Sequence, residues 1–166
     1  MSAIPRETMI SAEGYDARSR ELETLRTQER RRLAELLAEA REDGDPADNP
    51  ALQDLFDEHE QLERRITTLE AHLGAAEIVA PATDGRAGIG SLVRVRDHSH
   101  GGTIEYELVG PLESDPATGR VSITAPVGQA LIGQRAGDRV EVSAPSGLLT
   151  LEVLDVGPAE GMRRAA

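Results

Sequence analysis

Apolar residues recur along the first half of the chain at Leu22, Leu25, Leu33, Leu36 and Ala40, with Glu29 standing where another apolar side chain would keep the rhythm. Alternating three- and four-residue spacing predicts an amphipathic helix, entered at Ser11-Ala12-Glu13-Gly14 and running from about Gly14 to Asp43. A second stripe, Leu52, Leu55, His59, Leu62, Ile66, Leu69 and Leu73, holds an a/d heptad register over about three repeats. Each stripe is narrow and flanked by charge, so each helix needs a partner. A connection of roughly 6 residues makes antiparallel packing of one on the other the economical arrangement. At ~1.5 Å per residue the first helix is ~45 Å long, far longer than a small domain requires.

The period changes beyond Ile78. Pro81, Thr83, Asp84, Gly85, Gly88 and Gly90 give residues 79–89 the composition of a linker. Apolar residues then alternate with polar ones at Val93/Val95, Ile104/Tyr106/Leu108, Val121/Ile123, Val140/Val142 and Leu149/Leu151/Val153, the pattern of half-buried strands. Turn chemistry separates them at Gly101-Gly102, Gly110-Pro111, Asp115 to Gly119, Gly137-Asp138 and Pro145-Ser146-Gly147. One short helix, Pro126 to Ile132, starts on proline and stops at Gly133. The expected fold is α+β: an N-terminal antiparallel coiled-coil helical hairpin over residues 1–78, then a small antiparallel sheet domain with one short helix over 90–157, and a flexible tail at 158–166.

Composition narrows the function classes. Tyr15, Phe56 and Tyr106 are the only aromatics, so the core rests on Leu, Ile and Val. A net charge of -12 argues against a protein that grips bare nucleic acid by its phosphates, and sequence-specific DNA binding is not expected. The absence of cysteine excludes disulfide scaffolds and thiolate metal sites and fits a reducing cytoplasm. No apolar run approaches the ~18 residues of a membrane span, and Met1 to Glu7 lacks an apolar signal core. The expected setting is cytoplasmic, away from membranes.

Charge then singles out one stretch. From Glu42 to Glu63 the chain carries nine carboxylates and no Arg or Lys. Like charges at helical spacing repel, so this concentration at the end of a hairpin needs a reason. One reading makes the tip, residues 42–49, a working end that reaches a divalent metal in a partner's active site. A second reading is local: Asp45-Pro46-Ala47-Asp48 also has the order of N-cap, first-turn proline and first-turn acid. Pro50 disfavours helical geometry at Asn49, which favours a helix starting at Asn49 or Pro50 with Gly44 to Asp48 as loop. Arg30, Arg31 and Arg32 form either a basic patch or a solvated face paired with nearby Glu. His59 reads as a polar layer in the heptad, and His98 with His100 is a weak zinc signal without a third ligand.

The order of elements, with Glu39-Ala40-Arg41-Glu42-Asp43-Gly44-Asp45 then Asn49, Ala125-Pro126-Val127-Gly128-Gln129-Ala130-Leu131-Ile132-Gly133, and Gly137-Asp138-Arg139-Val140-Glu141-Val142, resembles the Gre family of bacterial transcript-cleavage factors, GreA and GreB. The resemblance spans nearly the whole chain. It implies an FKBP-like fold for the C-terminal domain, which would dock on the rim of RNA polymerase's secondary channel through Thr124, Ala125 and Pro126. The coiled-coil tip would enter the channel, meet the nascent RNA 3′ end, and help the polymerase hold a shared Mg²⁺ through Asp45 and Asp48. Arg41 and Asn49 would belong to the partner-binding surface. The chain would then be no enzyme itself but would stimulate cleavage of backtracked transcripts by the polymerase. Four positions of the tip depart from the family pattern: Asp48 stands for glutamate, Pro46 and Pro50 enter the tip, and Leu52 stands for tyrosine. A Gre-like paralogue that occupies the channel and inhibits transcription is the alternative. A prolyl isomerase is disfavoured by the lack of aromatics, and a plain coiled-coil adaptor would not need the acidic tip.

Overall fold

Ser11 opens the first helix, its hydroxyl accepting the Gly14 N–H at 2.9 Å. In the computed structural model, which describes residues 5–42, 49–144 and 147–159, helix α1 spans Ala12–Thr24 and α2 spans Arg30–Glu42. Between them lies one π-helical turn, Leu25–Glu29. Its cause is visible in the spacing. From Leu25 to Glu29 to Leu33 the stripe takes two four-residue steps in succession, one residue more than a heptad allows, and a π turn absorbs the extra residue. Beyond it Leu33 and Leu37 are buried, whereas the expected Leu36 is only half-buried. The register thus moves by one residue from the regular extrapolation.

Helix α3, Pro50–Ala75, has 26 residues and is ~39 Å long at the usual rise. It buries Leu52, Leu62, Ile66, Leu69 and Leu73. Arg26 meets Glu70 at 2.5 Å, Arg30 meets Glu63 at 2.7 Å and Arg32 meets Glu58 at 2.6 Å. As one partner's number rises the other's falls, which is the signature of antiparallel helices. His59 is not a core layer: it is half-buried at the edge, with Nε2 3.9 Å from Glu63 Oε1.

The second compact unit joins residues 1–15 to 76–166, and the hairpin unit is 16–75. This differs from a division at residue 78. Strand β1, Met9–Ile10, pairs in parallel with β2, Glu77–Ile78, and Ile10 is fully buried, so the first residues belong with the sheet. Strands β3 (Ser91–Asp97), β4 (Thr103–Val109), β5 (Arg120–Ser122), β6 (Arg139–Ala144) and β7 (Gly147–Pro158) form one sheet in the order β5-β4-β3-β7-β6. Three pairings are antiparallel, but β5 runs parallel to β4, so the sheet is mixed. Two proline-led 3₁₀ turns, Pro111–Glu113 and Pro116–Thr118, carry the chain back before Gly119, at φ 77°, turns it into β5. Val93, Val95, Leu108, Ile123, Val142, Leu151 and Val153 build the core, closed by Leu131 of helix α4, Pro126–Leu131. Gly133 follows that helix at φ 82°. Ile104 shares the core-facing parity of its strand yet is exposed, because the sheet outruns the core there.

The end of the chain also differs from expectation. Pro158 closes β7 opposite Ser91, and the Ala159 N–H donates to Gly90 O at 3.0 Å, so a tail cannot begin at 158. Residues 160–166, and Pro145-Ser146 where a turn is expected, lie outside the described residues.

One buried carboxylate ties these segments together. Glu113, 2% exposed, accepts from Ser11 N at 2.9 Å, Ser11 Oγ at 2.5 Å, Gly110 N at 3.1 Å and Arg120 Nη2 at 3.4 Å. Glutamine at this position would turn one acceptor into a donor facing other donors. Glu113→Gln is expected to lower the unfolding free energy by about 2–3 kcal/mol, read by urea titration of the full chain.

Candidate functional site: the distal end of the hairpin

Asn49 holds the two helices at the end of the hairpin. Its side-chain oxygen accepts the Leu52 N–H at 3.3 Å, and its amide donates to Ala40 O of α2 at 3.5 Å. Helix α3 therefore starts on Pro50 with Asn49 as its cap, the choice that the geometry of an Asn-Pro pair favours. Asp45 and Asp48 lie outside the described residues, so the local-cap reading of Asp45 to Asp48 competes only for what precedes Asn49.

Arg41, near the end of α2, places its guanidinium 5.6 Å from the centroid of the Phe56 ring on α3. Both side chains are exposed. Phe56 was not singled out by the pattern of the chain, although it is the one aromatic between residues 16 and 75. That isolation was the available signal. Leu52, by contrast, is buried and faces the hairpin interior.

Below this end the arm is laced with ion pairs. Arg30 hydrogen-bonds Glu63, which holds the Glu63 carboxyl below its ordinary range and pushes the Arg30 guanidinium up. Arg32 bonds both Glu29 and Glu58 and is likewise raised. Burial works to raise Glu21, but its hydrogen bonds from Arg18 and Arg65 outweigh this and leave it lowered. Arg30 and Arg32 thus serve the paired face, while Arg31 is exposed and makes no ion pair among the described residues.

Candidates on the sheet unit are separate. Thr124 Oγ1 lies 2.7 Å from Ser122 Oγ, and its carbonyl accepts from Gln129 Nε2 at 2.8 Å. Ala125 is the residue before α4 and supplies no side-chain cap; Pro126 is exposed. His98 pairs with Glu152 at 2.7 Å and His100 with Asp97 at 3.1 Å. Among the described residues no group of three or more His, Cys, Asp or Glu is placed to hold a metal ion, so the two histidines do not assemble a zinc site. A cavity of about 240 Å³ beside Ser11, Pro81, Glu107 and Val109 has no aromatic wall. Among the described residues no helix is long and apolar enough to cross a membrane.

Two outcomes follow from this geometry. Asn49→Ala removes the cap and the tie to Ala40, and should lower thermal stability by about 1 kcal/mol without changing the sheet unit's exchange protection. Glu21 and Glu63 titrate below the usual glutamate value of 4.5, so their stabilising charge is present above that pH and lost as pH falls through their lower folded values. Melting temperatures taken on acidification should drop below about 4.5, and Arg30→Met should flatten that acid limb.

A family profile described as transcription elongation factor, N-terminal, matches residues 8–78, and one described as transcription elongation factor, GreA/GreB, C-terminal, matches residues 82–158. The transcription elongation factor GreA of Syntrophobacter fumaroxidans is 36% identical over 149 residues, covering 89% of this chain and 96% of that protein. GreA of Nitratidesulfovibrio vulgaris is 35% identical over 166 residues, covering 99% and 100%. Among solved structures, the GreA factor homolog 1 (Gfh1) protein of Thermus thermophilus aligns at 28% identity with a TM-score of 0.42, covering 91% of this chain and 99% of that one. The chain belongs to the GreA/GreB family of transcription elongation factors.

Proposed function

We propose that this chain binds RNA polymerase and stimulates the polymerase's own hydrolytic cleavage of the 3′ end of a backtracked transcript, without being an enzyme itself. The observation that carries the reading is the run of nine carboxylates, free of Arg and Lys, around the connection of two antiparallel helices. A helix of ~39 Å gives that connection reach. The hairpin enters the secondary channel while the sheet unit docks at its rim through the segment Thr124 to Pro126.

Asp45 and Asp48 are the oxygen donors offered at the tip. Their chemistry fits Mg²⁺, a hard ion that takes oxygen ligands and is often held by only one or two carboxylates. Asp45 and Asp48 would hold one ion of a pair, which in two-metal phosphodiester hydrolysis would stabilise one of the attacking and leaving oxygens while the polymerase's own ion stabilises the other. The chain contributes donors, brings them to the place where the polymerase supplies the rest, and keeps them there through the Asn49 cap and the paired helices.

A second reading, occupation of the channel with inhibition and no cleavage, has one structural observation in its favour. Leu52 packs inward, so the position that carries tyrosine in the resembled family presents no hydroxyl near the tip. Asp48 is also one methylene shorter than glutamate, and a displacement of ~1 Å can cost ~100-fold in rate.

Purified polymerase stalled in a backtracked complex decides between them. Addition of this protein is expected to shorten the RNA faster, with Asp45→Asn returning the rate to that of polymerase alone. Slowed elongation with no shortening would establish the inhibitor instead.

A further inference from the structure

We infer that Arg41 and Phe56 together form a stacking platform for an unpaired base of the RNA strand that the hairpin meets. This rests on the reading that the arm reaches RNA, and it adds a binding contact distinct from the tip carboxylates. Phe56 is 40% exposed, and it is the only large apolar side chain of the hairpin unit left so exposed among the described residues. It lies seven residues beyond the Asn49 cap, ~10 Å along α3, a distance spanned by a few nucleotides.

Arg41 marks the site independently. Arg18, Arg26, Arg30, Arg32, Arg64 and Arg65 each meet a glutamate. Arg41, like Arg20 and Arg31, makes no ion pair among the described residues; what sets it apart is the aromatic ring it takes, although Glu39 and Glu42 flank it in the chain. No other cation follows it until Arg64.

The surrounding charge selects the kind of contact. An arm bearing carboxylates on this scale cannot hold RNA by its phosphates. A base presents a neutral π face, and stacking on an aromatic ring or a guanidinium plane tolerates any sequence. Arg41 lying against Phe56 joins both stacking surfaces, and cation–π attraction holds the guanidinium to the ring.

The test places 2-aminopurine, whose fluorescence falls on stacking, in the extruded RNA of a backtracked polymerase complex. The full-length chain carrying Asp45→Asn serves as parent, so the RNA is not consumed. The parent is expected to quench the base. Adding Phe56→Ala should raise the concentration for half-maximal quenching about tenfold, and Phe56→Trp should restore it, with melting temperatures confirming that each variant folds. Equal quenching by parent and Phe56→Ala, or no quenching by the parent, overturns the platform. A photocross-linker at position 56 that captures polymerase protein and no RNA also overturns it, and assigns the patch to a protein wall. RNA shortening by the unsubstituted chain is measured on the same complexes. Quenching that depends on Phe56 without shortening removes the cleavage reading alone; shortening without such quenching removes the platform alone.

Discussion

A single desolvated carboxylate conditions the way the sheet unit is closed. Glu113 collects donors from Gly110 and Arg120 nearby in the chain and from Ser11, 102 residues away. Leaving any of those N–H groups buried and unpaired would cost more than the bond itself returns, so the three segments are held as one. Ser11 is also the cap of α1, and the same hydroxyl that accepts from Gly14 donates to Glu113. Helix initiation and docking of the first residues on the sheet are therefore one event. Gly14 is part of the arrangement, because a side chain there would run into the Glu113 carboxylate. The β1–β2 pairing next to it buries Ile10.

Much of this architecture was legible in the sequence where one periodicity ruled. The stripe of α3 and the alternation at Val93/Val95 and Leu151/Val153 translate directly into buried faces, and Pro126 with Gly133 brackets α4 as their backbone preferences dictate. The Asn-Pro pair set the start of α3 for the same reason. What escaped depends on non-local contacts or on a small change of period. A single extra residue between Leu25 and Leu33 is invisible to a count of apolar positions, yet it produces a π turn and exchanges Leu36 for Leu37 in the core. The parallel placement of β5 is decided by two 3₁₀ turns, not by the apolar pattern of Arg120 to Ser122. Glu113 reads as an ordinary surface acid in a turn; only the fold brings Ser11 and Arg120 to it.

The candidate site was legible in a different way. The acidic run announced itself by charge alone, and Asn49 took its place through capping chemistry. Arg41 and Phe56 are 15 positions apart in the chain, and nothing local couples them; the antiparallel crossing of α2 and α3 does. His98 and His100 show the converse. Their spacing suggests ligation, whereas the fold gives each its own carboxylate, Glu152 of β7 for His98 and Asp97 for His100, and brings no third donor among the described residues.

The placement of charge along the arm separates finding a partner from acting on it. Each cross-helix pair is partly exposed, and such pairs contribute only about 0–1 kcal/mol to stability. Their larger effect is to neutralise Glu58, Glu63 and Glu70 along the shaft, while the sequence from Glu42 to Asp57 is rich in acids and holds no Arg or Lys. With a screening length of ~8 Å at physiological salt, that charge acts only on groups it nearly touches. Charge of that sign repels nucleic acid at close range and is screened beyond it, so it supplies no attraction toward RNA. Under the proposed function, affinity for the polymerase would then reside in the rest of the molecule, and the acidic run would act after arrival. Substitutions in the carboxylates should therefore separate function from binding, while substitutions in the sheet unit should not.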